Sequence, residues 1–271
     1  MQTVLLNNGV AMPQLGLGVW QAGNGQDLDR AVKTALETGY RLFDTASFYQ
    51  NEDGVGKAIA ESGIDRSSVF ITTKVWNDEQ GYQETKTAIQ RSMDALRTDY
   101  IDLYLIHWPV RDKYKDTWRA MEECYQKGWL RAIGLSNFLQ HHIEDLLPHC
   151  SIKPMVNQLE HHPLLVQKDL QLFCQQNQIQ FEAWRPLMGG SLLSELELLQ
   201  ELAQKYQKTP AQILLRWNIQ NNIVTIPKSI TPQRIRDNFN IWDFALEEAD
   251  MLAIDALDQG RRLGPDPDTF V

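Results

Sequence analysis

The stretch YRLFDTASFYQNEDGVGKAIAESG, residues 40–63, contains one complete unit of the fold. It opens on a short apolar run that is typical of a buried strand, passes through a polar loop, and continues as a Gly-punctuated segment of helical period. A short apolar run followed by a helix of about 10–15 residues is the signature of a βα unit in a parallel sheet. The same unit recurs along the chain, so this stretch predicts the architecture of the whole.

Seven further apolar runs follow the same pattern. The eight predicted strands lie at 15–20, 40–45, 68–76, 100–108, 129–137, 153–160, 178–184 and 222–229. Helical segments follow them, and no Pro/Gly-rich linker divides the series. Eight such units favour a closed (β/α)8 TIM barrel over an open doubly wound sheet. We therefore expect an α/β fold with a single domain over residues 1–271.

Additions to the barrel are predicted at both ends of the chain. The stretch TVLLNNGVAM fits a hairpin with Asn8-Gly9 as its turn, because Asn-Gly accepts the positive φ angles that such turns need. Residues 194–206 form an extra amphipathic helix late in the chain. Thr209-Pro210 and Thr231-Pro232 each place a capping hydroxyl before a proline at the first position of a later helix.

Composition and charge restrict the possible partners. Hydrophobic residues make up 43% of the 271 residues and charged residues 23%, which is ordinary for a globular protein. The net charge of −9, from 26 basic and 35 acidic residues, argues against a nucleic-acid or anionic-membrane surface. An anionic ligand would then need a local basic pocket.

The cellular compartment is predicted from the cysteines and the N-terminus. Cys124, Cys150 and Cys174 are far apart and form no CxxC, which indicates free thiols of a reducing compartment. MQTVLLNNGV shows no signal peptide, and no stretch approaches the ~20 apolar residues that span a bilayer. We expect a soluble, cytoplasmic protein.

Chemically useful side chains follow the predicted strands, at the end of the barrel where chemistry gathers in this fold. Four successive strands direct an aromatic residue, an Asp, a Lys and a His to one bowl, with Tyr49 just beyond the second strand. This joint placement is more specific than any single residue. In chain order the strand-end residues are Trp20, Asp44, Lys74 with Trp76, His107 with Trp108, Ser136-Asn137, Gln158, Trp184-Arg185 and Lys228-Ser229.

Together with Tyr49, the Asp, Lys and His of this bowl suit the donation of a proton to a carbonyl group. A tyrosine has an unperturbed pKa of ~10 and is a weak acid, and a nearby Lys74 ammonium would lower the pKa of Tyr49. Asp44 would hold that ammonium in place and keep it charged. His107 would donate a hydrogen bond to the carbonyl oxygen as negative charge builds there.

Each residue also has an ordinary structural explanation when it is taken singly. Asp44 could cap a helix or turn, Tyr49 could be a packing residue, and Lys74 could direct its ammonium from a strand end to water. His107 could be a hydrogen-bonded core histidine. The pairs at 141–142 and 161–162 invite a metal site, but no carboxylate or Cys stands at ligand spacing, which favours surface or packing roles and no metal.

Seven motifs resemble the aldo-keto reductase superfamily, and the branch of bacterial 2,5-diketo-gluconate and glyoxal (methylglyoxal) reductases is the most similar. The resemblance implies a (β/α)8 barrel, NADPH (NADP+) as cofactor, and reduction of an aldehyde or ketone to an alcohol. It assigns Tyr49 as the general acid and completes a tetrad with Asp44, Lys74 and His107. The motifs are FDTASFYQNEDGVG, TTKVW, IDLYLIHWP, GLSNF, MVNQLEHHP, EAW and IPKSITPQRIRDN.

The resemblance also implies a cofactor site. Trp184 stacks on the nicotinamide ring, and Arg185 and Leu187, which follow its strand, also face the cofactor. The other cofactor residues are Ser136, Asn137 and Gln158 on the carboxamide, Lys228, Ser229 and Arg234 on the 2′-phosphate, and Asn238 near the adenine.

The residues after the last predicted strand suggest a phosphate site independently. The loop Ile-Pro-Lys-Ser followed by a helix that carries Arg234 is a cationic pocket in an acidic protein, which suits a phosphate. No G-x-G-x-x-G fingerprint competes, because Gln21 stands where the third glycine after Gly16 and Gly18 is required.

One position departs from the family pattern. Relatives have EAWSPL where this chain has EAWRPL, which places an arginine at 185. A guanidinium can fork onto two phosphate oxygens of the cofactor. It can also lean into the pocket and favour carboxylate-bearing substrates, or turn to solvent at the barrel mouth.

The substrate is a small carbonyl compound whose identity stays open. Trp20, Trp76 and Trp108 are expected to form an apolar substrate wall beside Tyr49 and His107. Small dicarbonyls such as methylglyoxal, aromatic aldehydes and keto sugar acids are the substrate classes to test, and a monomer is the family default. Two rival functions are an NADPH-binding regulatory barrel with little turnover and a metal-assisted hydrolase.

Overall fold

The computed structural model describes residues 2–270. Two strands form an antiparallel hairpin, and eight parallel strands follow in chain order around one sheet. The hairpin consists of β1 (Thr3–Leu5) and β2 (Ala11–Pro13), and the sheet of β3 (Leu17–Gly18), β4 (Leu42–Asp44), β5 (Phe70–Val75), β6 (Leu103–Ile106), β7 (Ile133–Ser136), β8 (Val156–Glu160), β9 (Gln180–Trp184) and β10 (Val224–Thr225). All eight predicted strands are confirmed.

Helices follow the strands and cover the outside of the sheet. They are α1 (Gln26–Thr38), α2 (Glu52–Glu61), α3 (Tyr82–Leu96), α4 (Tyr114–Gln126), α5 (Gln140–Leu146), α6 (Lys168–Gln176), α7 (Glu197–Tyr206), α8 (Pro210–Gln220), α9 (Pro232–Phe239) and α10 (Glu248–Asp255). The extra helices late in the chain are therefore α7, which lies before α8, and α10, which follows the last βα unit.

The first and last strands close the sheet into a barrel. The N–H of Gly16 donates to the carbonyl of Thr225 at 2.9 Å, and that of Gly18 to Pro227 at 3.2 Å. A Cβ on Gly18 would lie 2.9 Å from the carbonyl oxygen of Ile226, closer than packed atoms allow. The glycines of this strand thus permit the close approach that the closed barrel requires.

The hairpin covers the amino-terminal end of the barrel. The side chain of Asn7 donates to the carbonyl of Pro154 at 2.9 Å, and that of Asn8 to the carbonyl of Arg131 at 2.9 Å. The turn lies one residue earlier than predicted, because the N–H of Gly9 donates to the carbonyl of Leu6 at 2.8 Å and makes Asn7 and Asn8 the central residues. Of the predicted pair only Gly9 has a positive φ, at 83°, so the expectation of left-handed geometry at Asn8 is wrong.

The two Thr-Pro helix starts behave differently. The Thr209 hydroxyl accepts the N–H of Gln212 at 3.3 Å, and the Gln212 side chain accepts the N–H of Thr209 at 2.8 Å, which is a capping box. Helix α9 also begins at its proline, but the Thr231 hydroxyl makes no cap hydrogen bond. The predicted hydroxyl cap is wrong there, and the residue before the helix is instead held by its N–H, which donates to the Ser229 hydroxyl at 3.1 Å.

Two further features of the fold are its free cysteines and the lengths of its helices. Cys124, Cys150 and Cys174 are all free, as expected, and Cys124 and Cys174 are buried. None of the helices within residues 2–270 is both long and apolar enough to span a bilayer.

Candidate active site

The carboxyl ends of β4 and β5 bring Asp44 and Lys74 together inside the barrel mouth. The Lys74 ammonium donates to both carboxylate oxygens of Asp44, at 2.7 and 2.8 Å, and to the carbonyl of Thr45 at 2.9 Å. Burial alone lowers the pKa of Lys74, but the attraction of Asp44 and Tyr49 outweighs it and the pKa ends above its usual value. As predicted, Asp44 keeps Lys74 in place and charged.

Tyr49 ends a short 3₁₀ turn, Ser47–Tyr49, that follows β4. The Lys74 nitrogen lies 5.1 Å from the centre of the Tyr49 ring. Burial raises the pKa of the phenol to about 12, although Lys74 acts in the opposite direction. The expected influence of Lys74 is therefore present, but the prediction of a lowered pKa is wrong because burial is the larger effect.

His107 directly follows β6 and is 7% exposed. Burial and the nearby charge of Lys74 hold its pKa well below the usual value, so the ring is neutral at physiological pH. Within the described residues the buried Nδ1 has no hydrogen-bond partner. A proton on Nε2 avoids a buried unpaired N–H and gives the ring one donor for a ligand.

Gln158 and Glu182 extend this cluster into the barrel. The side-chain nitrogen of Gln158 donates to Asp44 Oδ2 at 2.8 Å and to Glu182 Oε2 at 3.0 Å, so only its oxygen remains for a carboxamide. Sequence reasoning assigned no role to Glu182. Its place on β9, two residues before Trp184, put it on the inner face, which was the available signal.

Ser136 and Asn137, two of the three residues predicted for the nicotinamide carboxamide, lie at the end of β7, beside Trp184 at the end of β9. The side-chain nitrogen of Asn137 donates to the carbonyl of His107 at 2.9 Å and to the Ser136 hydroxyl at 3.1 Å. Its oxygen accepts the indole N–H of Trp184 at 2.9 Å. These bonds tie the predicted stacking residue to the loop that follows His107.

The predicted phosphate residues surround the start of α9. Lys228 and Arg234 are exposed, whereas Ser229 and Asn238 are buried. Within residues 2–270 the ion pairs of this part of the chain leave Lys228 and Arg234 without a carboxylate partner. Two such cations beside a helix start that lacks a hydroxyl cap fit a phosphate group.

Arg185 is exposed and joins the end of β9 to the carboxyl-terminal tail. Its φ is 58°, and its guanidinium donates to the carbonyl of Leu263 at 3.1 Å. The N–H groups of Leu263 and Gly264 donate in turn to the buried Glu160 carboxylate, at 2.8 and 2.9 Å. Leu187, also named from the motif, is half-buried after the strand end.

Aromatic rings line the mouth above the tetrad. Trp20 lies 4.7 Å from Tyr49 between ring centres, and Trp76 lies 5.0 Å from His107. Phe48 stacks on Trp76 at 3.7 Å, and Phe270 packs on Trp108 at 4.4 Å. The predicted tryptophans do form one wall, but sequence reasoning missed both phenylalanines.

The histidine pairs lie outside the tetrad. His161 stacks on Trp217 at 4.7 Å, and burial lowers its pKa to about 3, which fits a packing role. His141 and His142 meet Asp268 of the tail, at 3.0 and 3.4 Å. The ligand atoms of these three residues lie within 4.8 Å of one another, so the expectation that no carboxylate stands near a histidine pair is wrong. Nδ1 of His142 accepts the N–H of Leu139 at 3.2 Å, so its neutral ring carries the proton on Nε2, the atom that faces Asp268.

The comparisons with known proteins agree with this geometry. Residues 14–259 match the model of the Aldo/keto reductase family. The chain is 54% identical over 269 residues to the glyoxal reductase of Bacillus subtilis (strain 168), covering 99% of this chain and 97% of that protein. It is 46% identical over 270 residues to the methylglyoxal reductase DkgA of Escherichia coli (strain K12), covering 98% and 97%.

A solved structure of similar fold contains a bound cofactor. The crystal structure of a mutant of Gox0644 in complex with NADPH superposes with a TM-score of 0.92 at 41% identity, covering 99% of this chain and 98% of that one. The barrel, the strand-end residues and the full-length similarity lead to one conclusion. This chain belongs to the aldo/keto reductase family.

Proposed function

We propose that this aldo-keto reductase uses NADPH to reduce small aldehydes and ketones to alcohols, with Tyr49 as the general acid and 2-oxoaldehydes such as methylglyoxal as the first substrates to test. The observation that carries the proposal is the buried Lys74 ammonium, which Asp44 holds within 2.8 Å while it faces the Tyr49 ring. Neither the regulatory barrel nor the metal-assisted hydrolase is supported by the relatives, which carry the names of reductases.

The proton donor follows from the acidity of Tyr49. With a pKa of about 12 the phenol stays protonated over the physiological range and is available as an acid. The alkoxide formed on reduction is about as basic as hydroxide, whose conjugate acid has a pKa of about 15.7, so transfer from Tyr49 is downhill. Lys74 stabilises the phenolate that remains.

The carbonyl oxygen is positioned by two donors. Tyr49 and the neutral His107, whose ring centres are 5.7 Å apart, both border the space above Lys74. Their O–H and N–H groups would bind the oxygen as it gains negative charge. Bound NADPH supplies the hydride. The half-buried Trp184 beside Asn137 would provide the surface on which the nicotinamide ring lies.

The choice of NADPH over NADH rests on the α9 pocket. Lys228, Ser229 and Arg234 supply two cations and a hydroxyl to the 2′-phosphate, a group that NADH lacks. Asn238, one turn after Arg234 on the same helix, would lie near the adenine. In a protein with a net charge of −9 this local cationic site is what attracts the cofactor.

Steady-state kinetics of Tyr49→Phe test the proposal. We expect kcat to fall by about 10²–10⁴-fold with little change in NADPH affinity, because the variant loses only the proton donor. Tyr82→Phe is the control, since it removes a phenol on the outer helix α3 and should leave kcat unchanged. Retention of more than about a tenth of the wild-type kcat would refute the role of Tyr49.

The same assay with NADH reports on the cofactor pocket. Equal kcat/KM for the two cofactors would contradict the assignment of Lys228, Ser229 and Arg234. Methylglyoxal, an aromatic aldehyde and a keto sugar acid form the substrate panel. We place the enzyme in the cytoplasm as a single-domain monomer, a state that the free cysteines suit and that size-exclusion chromatography tests.

A further inference from the structure

A second buried carboxyl group lies next to the ion pair of the tetrad. Glu182 is 0% exposed and lies on β9, whose neighbours in the sheet are β8 and β10. Its Oε2 and Oδ2 of Asp44 accept hydrogen bonds from the same nitrogen of Gln158, at 3.0 and 2.8 Å. A single amide therefore joins the two acidic groups.

Of these two carboxyl groups, only Asp44 has a cation that compensates a negative charge. The Lys74 ammonium donates to both oxygens of Asp44 and to the carbonyl of Thr45, and none of these hydrogen bonds reaches Glu182. Within the described residues the buried Oε1 of Glu182 has no hydrogen-bond partner. An ionised carboxylate with one amide donor in a buried site is strongly destabilised, and the usual relief is to keep its proton.

The charged groups around Glu182 act in the same sense. Burial is the larger cause and repulsion by Asp44 the next, and together they raise the pKa of Glu182 to about 8 despite the attraction of Lys74. From β8 it meets the neutral amide of Gln158. Glu160, further along β8, accepts the N–H groups of the tail instead.

We propose that Glu182 is a positioning residue for the tetrad, which supports catalysis when it carries a proton and opposes it when ionised. With a proton on Glu182, Asp44 and Lys74 form a pair of zero net charge beneath Tyr49. Loss of that proton adds a negative charge that acts against the Tyr49 phenolate. The proposal rests on the role of Tyr49 as the general acid.

Ionisation of Glu182 at high pH should slow the reaction. A like charge disfavours the formation of a second one nearby, so ionised Glu182 makes Tyr49 a weaker acid. As the pH rises through the pKa of Glu182, the hydride-transfer step should slow by about three- to tenfold, a change of roughly one pKa unit or less in the acidity of Tyr49. Tyr49 itself loses its proton only at higher pH.

Glu182→Gln tests this inference, because glutamine has the same shape and stays neutral. Single-turnover oxidation of NADPH is followed from about pH 6 to about pH 10 in wild type, Glu182→Gln and Glu122→Gln. Glu122 is a second buried glutamate, which accepts the N–H groups of Ser151 and Ile152 away from the tetrad. We expect the fall near pH 8 in wild type and Glu122→Gln, and a flat profile over that range in Glu182→Gln.

An infrared difference spectrum of the wild-type enzyme gives a second measurement if the variant does not fold. Raising the pH from about 7 to about 9.5 should convert one protonated carboxyl band into a carboxylate band. Persistence of the wild-type inflection in Glu182→Gln, or no such band in the wild type, overturns the inference. Full activity of Tyr49→Phe would instead overturn the proposed function on which it rests.

Discussion

At the scale of single residues, the tetrad combines stability with chemistry. Lys74 is 0% exposed and Asp44 is 2% exposed, so each charge is stable in its place only because the other is present. Removing one partner of a buried ion pair typically costs about 3–5 kcal/mol, since the remaining charge is left uncompensated. Substitutions of Asp44 or Lys74 therefore report on folding as well as on catalysis, whereas Tyr49→Phe reports on the proton alone.

Arg185 allows a prediction at the same scale. Its guanidinium lies next to Trp184 and donates to the carbonyl of Leu263, from which it can be drawn to the cofactor pyrophosphate. We expect Arg185→Ser to raise the Kd for NADPH by about tenfold, equivalent to one charge-assisted hydrogen bond, and to flatten its salt dependence. Quenching of tryptophan fluorescence on titration with NADPH gives both quantities.

Arg185→Lys separates charge from geometry in that experiment. It keeps the cation but loses the fork, so its affinity should lie between those of wild type and the serine variant. If only keto-acid substrates suffer while NADPH binding is unaffected, Arg185 instead serves the substrate carboxylate. If the Kd, its salt dependence and the ratio of acidic to neutral substrates are all unchanged, Arg185 serves only the tail.

The residues that sequence reasoning missed depend on contacts between distant parts of the chain. Asp44, Lys74 and His107 were found because each one lies at or just beyond the carboxyl end of a recognisable apolar strand. Glu182 lies inside a strand, and its importance depends on a hydrogen bond through Gln158 from β4 to β9, which no local pattern encodes. Phe270 packs on Trp108 only because of the course that the carboxyl-terminal tail takes, which no local pattern predicts.

At the scale of elements, periodicity predicted the order and type of the strands but not their lengths. The strand predicted at 15–20 is regular only over Leu17–Gly18, and that at 222–229 only over Val224–Thr225, with isolated bridges such as Leu15 to Thr225 beyond these bounds. These two strands meet at the closure, where tight glycine contacts replace regular side-chain packing. The pattern of apolar residues carries no information on such backbone contacts.

Gly18→Ala tests the importance of that closure. The added Cβ would lie 2.9 Å from the backbone oxygen of Ile226, which cannot move without opening the seam of the barrel. We expect the free energy of unfolding to fall by about 1–3 kcal/mol, as for other overpacked sites, in urea denaturation followed by tryptophan fluorescence.

Gly25→Ala is the matched control for this substitution. A Cβ at Gly25 meets nothing within 4 Å, and its φ of −130° is open to any residue. The change should lower the free energy of unfolding by less than about 1 kcal/mol, the effect of a less favourable helix cap. Equal losses for Gly18→Ala and Gly25→Ala would show that the seam does not restrict residue 18.

At the scale of the whole molecule, the two ends of the barrel have separate tasks. The carboxyl end holds the tetrad, the aromatic wall and the residues that we propose to bind the cofactor. The amino-terminal end is covered by the β1–β2 hairpin and contains Asp102, just before β6. The Asp102 carboxylate accepts hydrogen bonds from Arg66 at 2.7 Å, Arg131 at 2.8 Å and the N–H of Ile71 at 3.0 Å. In this fold such a cluster at the amino-terminal end indicates stability rather than chemistry.

Asp102→Asn tests that division. The amide offers one acceptor oxygen in place of two and points an N–H₂ group at existing donors, so the free energy of unfolding should fall by about 1–3 kcal/mol. Meanwhile kcat and KM of the folded enzyme should stay within about twofold of wild type, because the tetrad lies at the opposite end of the strands. Asp99→Asn, at an exposed position three residues earlier, is the control and should change neither quantity. A loss of kcat in Asp102→Asn without a loss of stability would mean that the two ends are coupled, and the assignment of stability to one end and chemistry to the other would then fail.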